Sequence, residues 1–263
     1  MNKLEFLKSF DKRYIHASNI LNKFNKGKEL EFLNDCIERY KNFHEVFLSG
    51  DLDAKVWAWN EYLNFVRNNN PFTSQSKFEP TILEEVLFRI FINLQKGQIE
   101  VGGAKTYSNL YFSPSNFDEF KLIDNVKINC KDQDFAIYKN VAFTLQNGES
   151  VKMSVPVVAF ECKTHLDKTM LESSVATAEK IKNGNPSCRF CIVTERYIVD
   201  KSVDIRSSRI DQIYVLRKNA KSNNKTQLIQ PDVVKKIFND TMEYLNKDWS
   251  SIEKNIRENG TVL

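Results

Sequence analysis

The run Pro156-Val-Val-Ala-Phe-Glu161-Cys162-Lys163 most limits how this chain can fold. Five apolar residues in succession suit a strand buried on both faces of a sheet. The run ends on a carboxylate and an ammonium two positions apart, and on a strand that spacing aims both at the same face. A buried strand carries charges only when they are paired or put to use. Glu161 and Lys163 therefore form either a satisfied ion pair or a reaction centre.

The chain has room to build a sheet around such a strand. Its 263 residues suffice for one large domain or two small ones, and 41% hydrophobic with 27% charged residues is an ordinary globular balance. Lys3, Glu5, Lys8 and Asp11 interrupt the N-terminus, so it does not read as a signal peptide, and no apolar run is long enough to cross a bilayer. The expected location is cytoplasmic, with no membrane association. Five scattered cysteines fit free thiols in a reducing compartment. Cys188-Arg-Phe-Cys191 has the gap of a zinc motif, but on a strand three positions send the sulfurs to opposite faces, so both are expected in the core.

Periodicity organises the rest. Residues 1–70 read as helices, in three apolar-periodic segments broken near Gly27 and Ser49-Gly50-Asp51. His16 and His44 fall in these helices without partners at ligand spacing and are expected to be structural or surface residues, and the Trp57 and Trp59 pair is expected to be packing residues. A polar stretch from Asn68 to Ser76 marks the boundary, giving an N-terminal helical region (1–70) for DNA recognition or subunit contact and a second domain (71–263). A helix follows from Glu79 to Leu94, then an irregular region from Ile99 to Phe120. Three extended segments come next, 126–138, 141–145 and 151–162, with a hairpin turn at Gln146-Asn-Gly-Glu149. A helix over 169–183, strands over 189–194 and 212–216, and a helix from Pro231 to about Asn246 complete the chain. This order predicts an α/β (α+β) fold with a mixed central sheet flanked by helices.

A second carboxylate gives Glu161 and Lys163 a purpose. Asp132 and Asp134 lie at the start of the first extended segment, and a meander would bring one of them beside the end of the strand that carries Glu161. Asp134 is favoured because Phe-Ala-Ile follows it directly. Two converging carboxylates, with the main-chain carbonyl of Cys162 between Glu161 and Lys163, can hold a hard divalent cation such as Mg²⁺. Lys163 would orient the attacking water, and beside a cation its pKa is expected to fall. Between Lys163 and Lys225 the chain carries 13 Lys and Arg against 7 Asp and Glu, an excess of 13 − 7 = 6 that suits a polyanionic partner. His165, Glu195-Arg-Tyr197 and Arg206 to Arg209 lie where such a partner could pass, but simple exposure for His165 and surface charge for the others are the preferred readings.

Asp134 followed by Glu161-Cys162-Lys163 resembles the PD-(D/E)xK nuclease motif, with Gln133 standing in place of its proline. Spaced blocks extend the likeness: Pro80-x-Ile-Leu-Glu-Glu, Ala104-Lys-x-Tyr107, Lys131-Asp-x-Asp-Phe, Val155-Pro-x-Val-Ala-x-Glu-Cys-Lys163 and Ile210-Asp-x-Ile-Tyr-x-Leu-Arg217 are similar to type II restriction endonucleases of the BbvCI and Bpu-ten-I group. The resemblance implies a Mg²⁺-dependent site-specific deoxyribonuclease that cuts double-stranded DNA at a short asymmetric CCTNAGC-related site. It also implies a homodimer or a heterodimer with a related subunit, and a cognate DNA methyltransferase in the same system. Asp134, Glu161 and Lys163 would be catalytic, and Asp134, Glu161 and Cys162 would hold the metal. A Glu from the first core helix joins the site in many such nucleases, and Glu84 or Glu85 matches that position. Glu84 is preferred, although Thr81-Ile-Leu-Glu84 also reads as a capping box. A repair or junction-resolving nuclease, or a non-catalytic DNA-binding subunit, remains an open alternative on the same core.

Overall fold

A computed structural model describes residues 2–118, 126–144, 148, 150–200, 202–218, 227–247, 256–258 and 260. Four helices come first: α1 (Lys3–Lys8), α2 (Ile15–Asn25), α3 (Leu30–Ser49) and α4 (Leu52–Asn69). The first apolar-periodic segment thus divides into two helices. Asn2 caps α1 with a capping box, and Asp51 caps α4 by accepting from the amide of Ala54. A loop leads to α5 (Pro80–Phe91), which starts on its proline.

The sheet follows: β1 (Ile99–Phe112), β2 (Val126–Thr144), β3 (Ser150–Lys163), then α6 (Lys168–Gly184), β4 (Arg189–Thr194), β5 (Gln212–Val215) and α7 (Pro231–Asn246). The strands lie in the order β1-β2-β3-β4-β5. The first three are antiparallel, and β3, β4 and β5 are parallel, so β3 joins the two kinds of ladder and the sheet is mixed. It is an α/β fold with helices on both faces.

Three expectations need correction. The region taken as irregular is β1, whose period of two is broken by bulges between Gly102 and Ala104 and between Tyr107 and Asn109. The segments 126–138 and 141–145 are one strand, β2 (Val126–Thr144), whose exposed Lys139 and Asn140 interrupt the apolar pattern but pair with Val155 and Ser154 of β3. The meander that joins Asp134 to Glu161 is therefore a direct hairpin of β2 and β3. Its turn, expected at 146–149, lies largely outside the described residues, although Thr144 pairs with Ser150 at its mouth.

Alternation sorts β3 between two cores. Val158, Phe160 and Cys162 join one core with buried residues of α1 through α5 and α7, from Phe6 to Ile237. Ala159 joins a second with Leu171, Ala178 and Ile181 of α6. Cys191 lies in the first core and Cys188 in the second, the opposite-face arrangement expected of them, and both are free thiols. Phe91 of α5 packs against Phe135 and Phe160, with ring centroids 5.6 and 6.1 Å away, which fixes α5 across β2 and β3. Far in sequence, the Asn60 side chain accepts from the amide of Ile229 and donates to its carbonyl, fastening α4 to the segment before α7.

Candidate active site

The ladder between β2 and β3 sets the site. Ile137, Ala136 and Phe135 pair with Val158, Ala159 and Phe160, and one further step puts Asp134 across from Glu161. Pairing stops there, because the Asp134 carboxylate itself accepts the Cys162 amide at 2.8 Å. Directly opposed like charges destabilise a sheet. Lys163 partly offsets this one, with its ammonium 2.8 Å from Glu161 Oε1.

The balance remains negative. Glu161 Oε2 is buried and has no hydrogen-bond partner among the described residues. Burial raises the pKa of Asp134 above the usual carboxylate range and Glu161 adds to the rise, against the Cys162 amide and Lys163. On α5, burial and the Asp134 charge push Glu84 up to about 8, although Lys77 and Lys163 oppose them. An unpaired buried oxygen and crowded carboxylates are the conditions a hard divalent cation would relieve. Cys162 adds a main-chain oxygen. In an extended strand the N–H and C=O of one residue leave from the same edge, so the carbonyl of Cys162 leaves on the Asp134 side while that of Lys163 accepts from Glu195 on the β4 side. The Cys162 sulfur is buried in the helical-side core. The donor set therefore fits an oxygen-seeking cation. Among the described residues no three His, Cys, Asp or Glu side chains converge as a ready ion cluster, so Glu84 flanks the opposed pair without closing it into one.

Three expectations change here. Burial lowers the pKa of Lys163, but the Glu161 hydrogen bond and the charges of Glu161 and Asp134 outweigh it, and among these protein groups the pKa rises. The expected fall was tied to a cation nearby; carboxylates alone reverse the sign. The capping box at Thr81 does not form, because α5 begins at Pro80 and the Thr81 hydroxyl donates to the Phe78 carbonyl. Glu195 is not a surface charge. It is buried, bridging Arg67 at 2.6 Å and Arg217 at 2.8 Å.

The remaining candidates separate by partner. Asp132 is exposed on β2 and Gln133 is buried. His165 is half-buried, 3.4 Å from the Thr164 hydroxyl. Arg206 pairs with Asp204 and Arg209 with Glu179. Glu85 faces away from the site into a polar hub. It accepts from the amides of His16 and Ala17, the Tyr40 hydroxyl and Arg89. The two amides belong to the first turn of α2, whose N-cap residue Tyr14 supplies no side-chain bond, so Glu85 caps that helix from a distance. His16 hydrogen-bonds Thr81 and Tyr62 and is structural, as expected. Trp59 is buried, but Trp57 is 59% exposed and does not pack. Two positions apart, the two tryptophans point to different sides of α4, and helical spacing groups Trp59, not Trp57, with the buried Val56, Leu63 and Val66.

Comparison with known proteins accords with this geometry. The chain matches the solved structure titled "native BbvCI A2B2 tetramer at low resolution" with a TM-score of 0.71 and 21% identity, over 90% of this chain and 97% of that one, which shows a shared fold. No curated protein sequence matches it. The family model described as Bpu10I restriction endonuclease matches residues 75–253, a span that contains α5, the whole sheet and every acidic residue of the site. With most of its length inside that match, the chain belongs to the Bpu10I restriction endonuclease family.

Proposed function

We propose that the chain is a Mg²⁺-dependent type II restriction endonuclease, or one subunit of a heteromeric one, that hydrolyses a phosphodiester at a short asymmetric site in double-stranded DNA. The observation that carries this reading is the opposed Asp134 and Glu161 pair with a buried, unpartnered Glu161 oxygen beside Lys163. Asp134, Glu161 and the Cys162 carbonyl would hold the cation. When bound, it would activate water and neutralise charge developing on the phosphate.

The side chains do the rest. Lys163, held by Glu161, orients the attacking water with its N–H donors and faces the charge that grows on the phosphoryl oxygens. The water oxygen bonds to phosphorus as the bond to the leaving sugar oxygen breaks, and that oxygen takes up a proton. Glu84 flanks Asp134 from α5, where a water between them could be aligned. The position of β3 between parallel and antiparallel partners supports a rigid mount for Glu161 and Lys163. One such site cuts one strand, so a double-strand break needs a second chain, identical or related.

The test incubates the protein with plasmid and phage DNA and Mg²⁺, beside Glu161→Ala and Lys163→Ala. Discrete fragments that disappear in both variants support the reading. A wild type that neither cleaves nor nicks, alone or with a related chain, overturns it.

A further inference from the structure

Thr164, Arg196 and Arg217 come just after the ends of β3, β4 and β5 and line one open cleft. In α/β sheets, ligands gather beyond the carboxyl ends of parallel strands. Two wall residues border the proposed catalytic corner along the chain: Thr164 follows Lys163, and Glu79 precedes the helix that carries Glu84.

Helix α4 forms the opposite wall. Trp57, Glu61, Asn64 and Asn68 line the cleft at spacings of four, three and four, which places them on one helical stripe, and all four are exposed. Their neighbours on the helix are already engaged: Asn60 holds Ile229, and Arg67 holds Glu79 and Glu195. The stripe is not. Asn64 and Asn68 share a single 3.3 Å hydrogen bond with each other. Among the described residues no hydrogen bond or ion pair engages the side chains of Trp57, Glu61 or Arg196. An indole, a carboxylate and two amides exposed in a row contribute nothing visible to packing.

Their chemistry matches base edges. An Asn amide pairs with adenine through one donor and one acceptor, a Glu carboxylate accepts from the cytosine amino group, and a major groove about 12 Å wide admits a helix. The stripe spans about 16 Å, close to five base pairs. We propose that this face of α4 is the base-reading element of the enzyme, entering the major groove beside the scissile phosphate, with Asn64 and Asn68 on base edges and Arg196 on the backbone. The assignment rests on the DNA-cleaving reading of the Glu161 corner.

The experiment first maps the wild-type cut sites by sequencing fragment ends of digested phage DNA. Asn64→Ala, Asn68→Ala and Arg196→Ala are then assayed on a duplex carrying the mapped site and on its single-base variants. Each Asn variant is expected to lose about tenfold to a hundredfold in kcat/KM on the mapped site and to lose discrimination at one or two positions, with an unchanged Tm. Arg196→Ala is expected to weaken all sequences alike and to flatten the salt dependence by about one phosphate contact. If wild type cuts while both Asn variants keep its rate and discrimination, the inference falls and the nuclease reading stands. A loss from the Asn variants that is uniform across sequences also overturns base reading. A wild type that neither cuts nor binds duplex overturns both.

Discussion

Two buried acidic centres are built from adjacent residues of α5, and they are balanced in opposite ways. Glu85 meets two backbone amides, a phenol and a guanidinium, and its salt bridge to Arg89 is 2.9 Å long. Glu84 instead feels the charge of Asp134, in a corner where Lys77 and Lys163 face crowded carboxylates and a buried Glu161 oxygen has no partner among the described residues. A buried polar group that is fully paired stabilises a unique packing. A buried group left short of partners costs stability, and it persists where the shortfall serves chemistry. The one-residue step from 84 to 85 thus separates the proposed catalytic corner from architecture.

Activity and stability should divide along that line. The largest effect is expected at the catalytic corner: Lys163→Ala should lower the single-turnover cleavage rate by at least about a hundredfold while leaving the melting temperature close to wild type. A Lys163→Ala enzyme that unfolds instead would make the corner a structural ion pair. Next comes Glu85→Ala, which strands Arg89 and the α2 amides and should cost about 3–5 kcal/mol in urea unfolding. If that variant loses cleavage with no loss of stability, Glu85 belongs with Glu84.

The hub also predicts a response to acid. Burial lowers His16 to about 3, with Arg89 adding to the effect and the Phe78 backbone opposing it. The unfolded chain takes up that proton near pH 6.5, so the folded state loses stability as pH falls from about 6.5 toward 3. Between pH 7 and pH 5 the loss should be about 2 kcal/mol, and His16→Gln should remove that slope. Equal slopes in the two proteins would mean that another group carries the acid sensitivity. The smallest effect is expected at Arg206→Ala, whose fully exposed pair with Asp204 should leave urea unfolding unchanged within error.

What the sequence revealed depended on how local each cause was. The Glu161-x-Lys163 strand, the limits of β4 and α6 and the Pro231 start of α7 follow from periodicity and from proline and glycine placement, and they match the structure closely. Strand β1 was hidden because two bulges and Gly102-Gly103 erase its alternation. Asp134 could be nominated from its flanking Phe-Ala-Ile, but its bond to the Cys162 amide depends on a register that only strand pairing fixes. Glu195 looked exposed after a strand end, and the approach of Arg67 from α4, 128 residues away, together with Arg217 makes it a buried bridge. Apart from Arg89 on its own helix, the partners of Glu85 come from two other helices, α2 and α3, so a local capping pattern at Thr81 was the only visible signal nearby, and it pointed to the wrong interaction.

The clasp between Asn60 and Ile229 bears on how the chain matures on the ribosome. The helices made first share their core with residues as late as Ile237, and the Asn60 side chain, which also donates to the Val56 carbonyl of its own helix, cannot clasp residue 229 until that residue has emerged. At roughly 5–20 residues per second, the intervening stretch takes on the order of ten seconds or more to synthesise. During that delay the apolar faces of α3 and α4 are without their final cover, so this core cannot close until the segment through Ile237 has been made. Slower elongation would lengthen the exposure of these helices, and yield on overexpression should follow chaperone supply more closely than the stability of the finished protein.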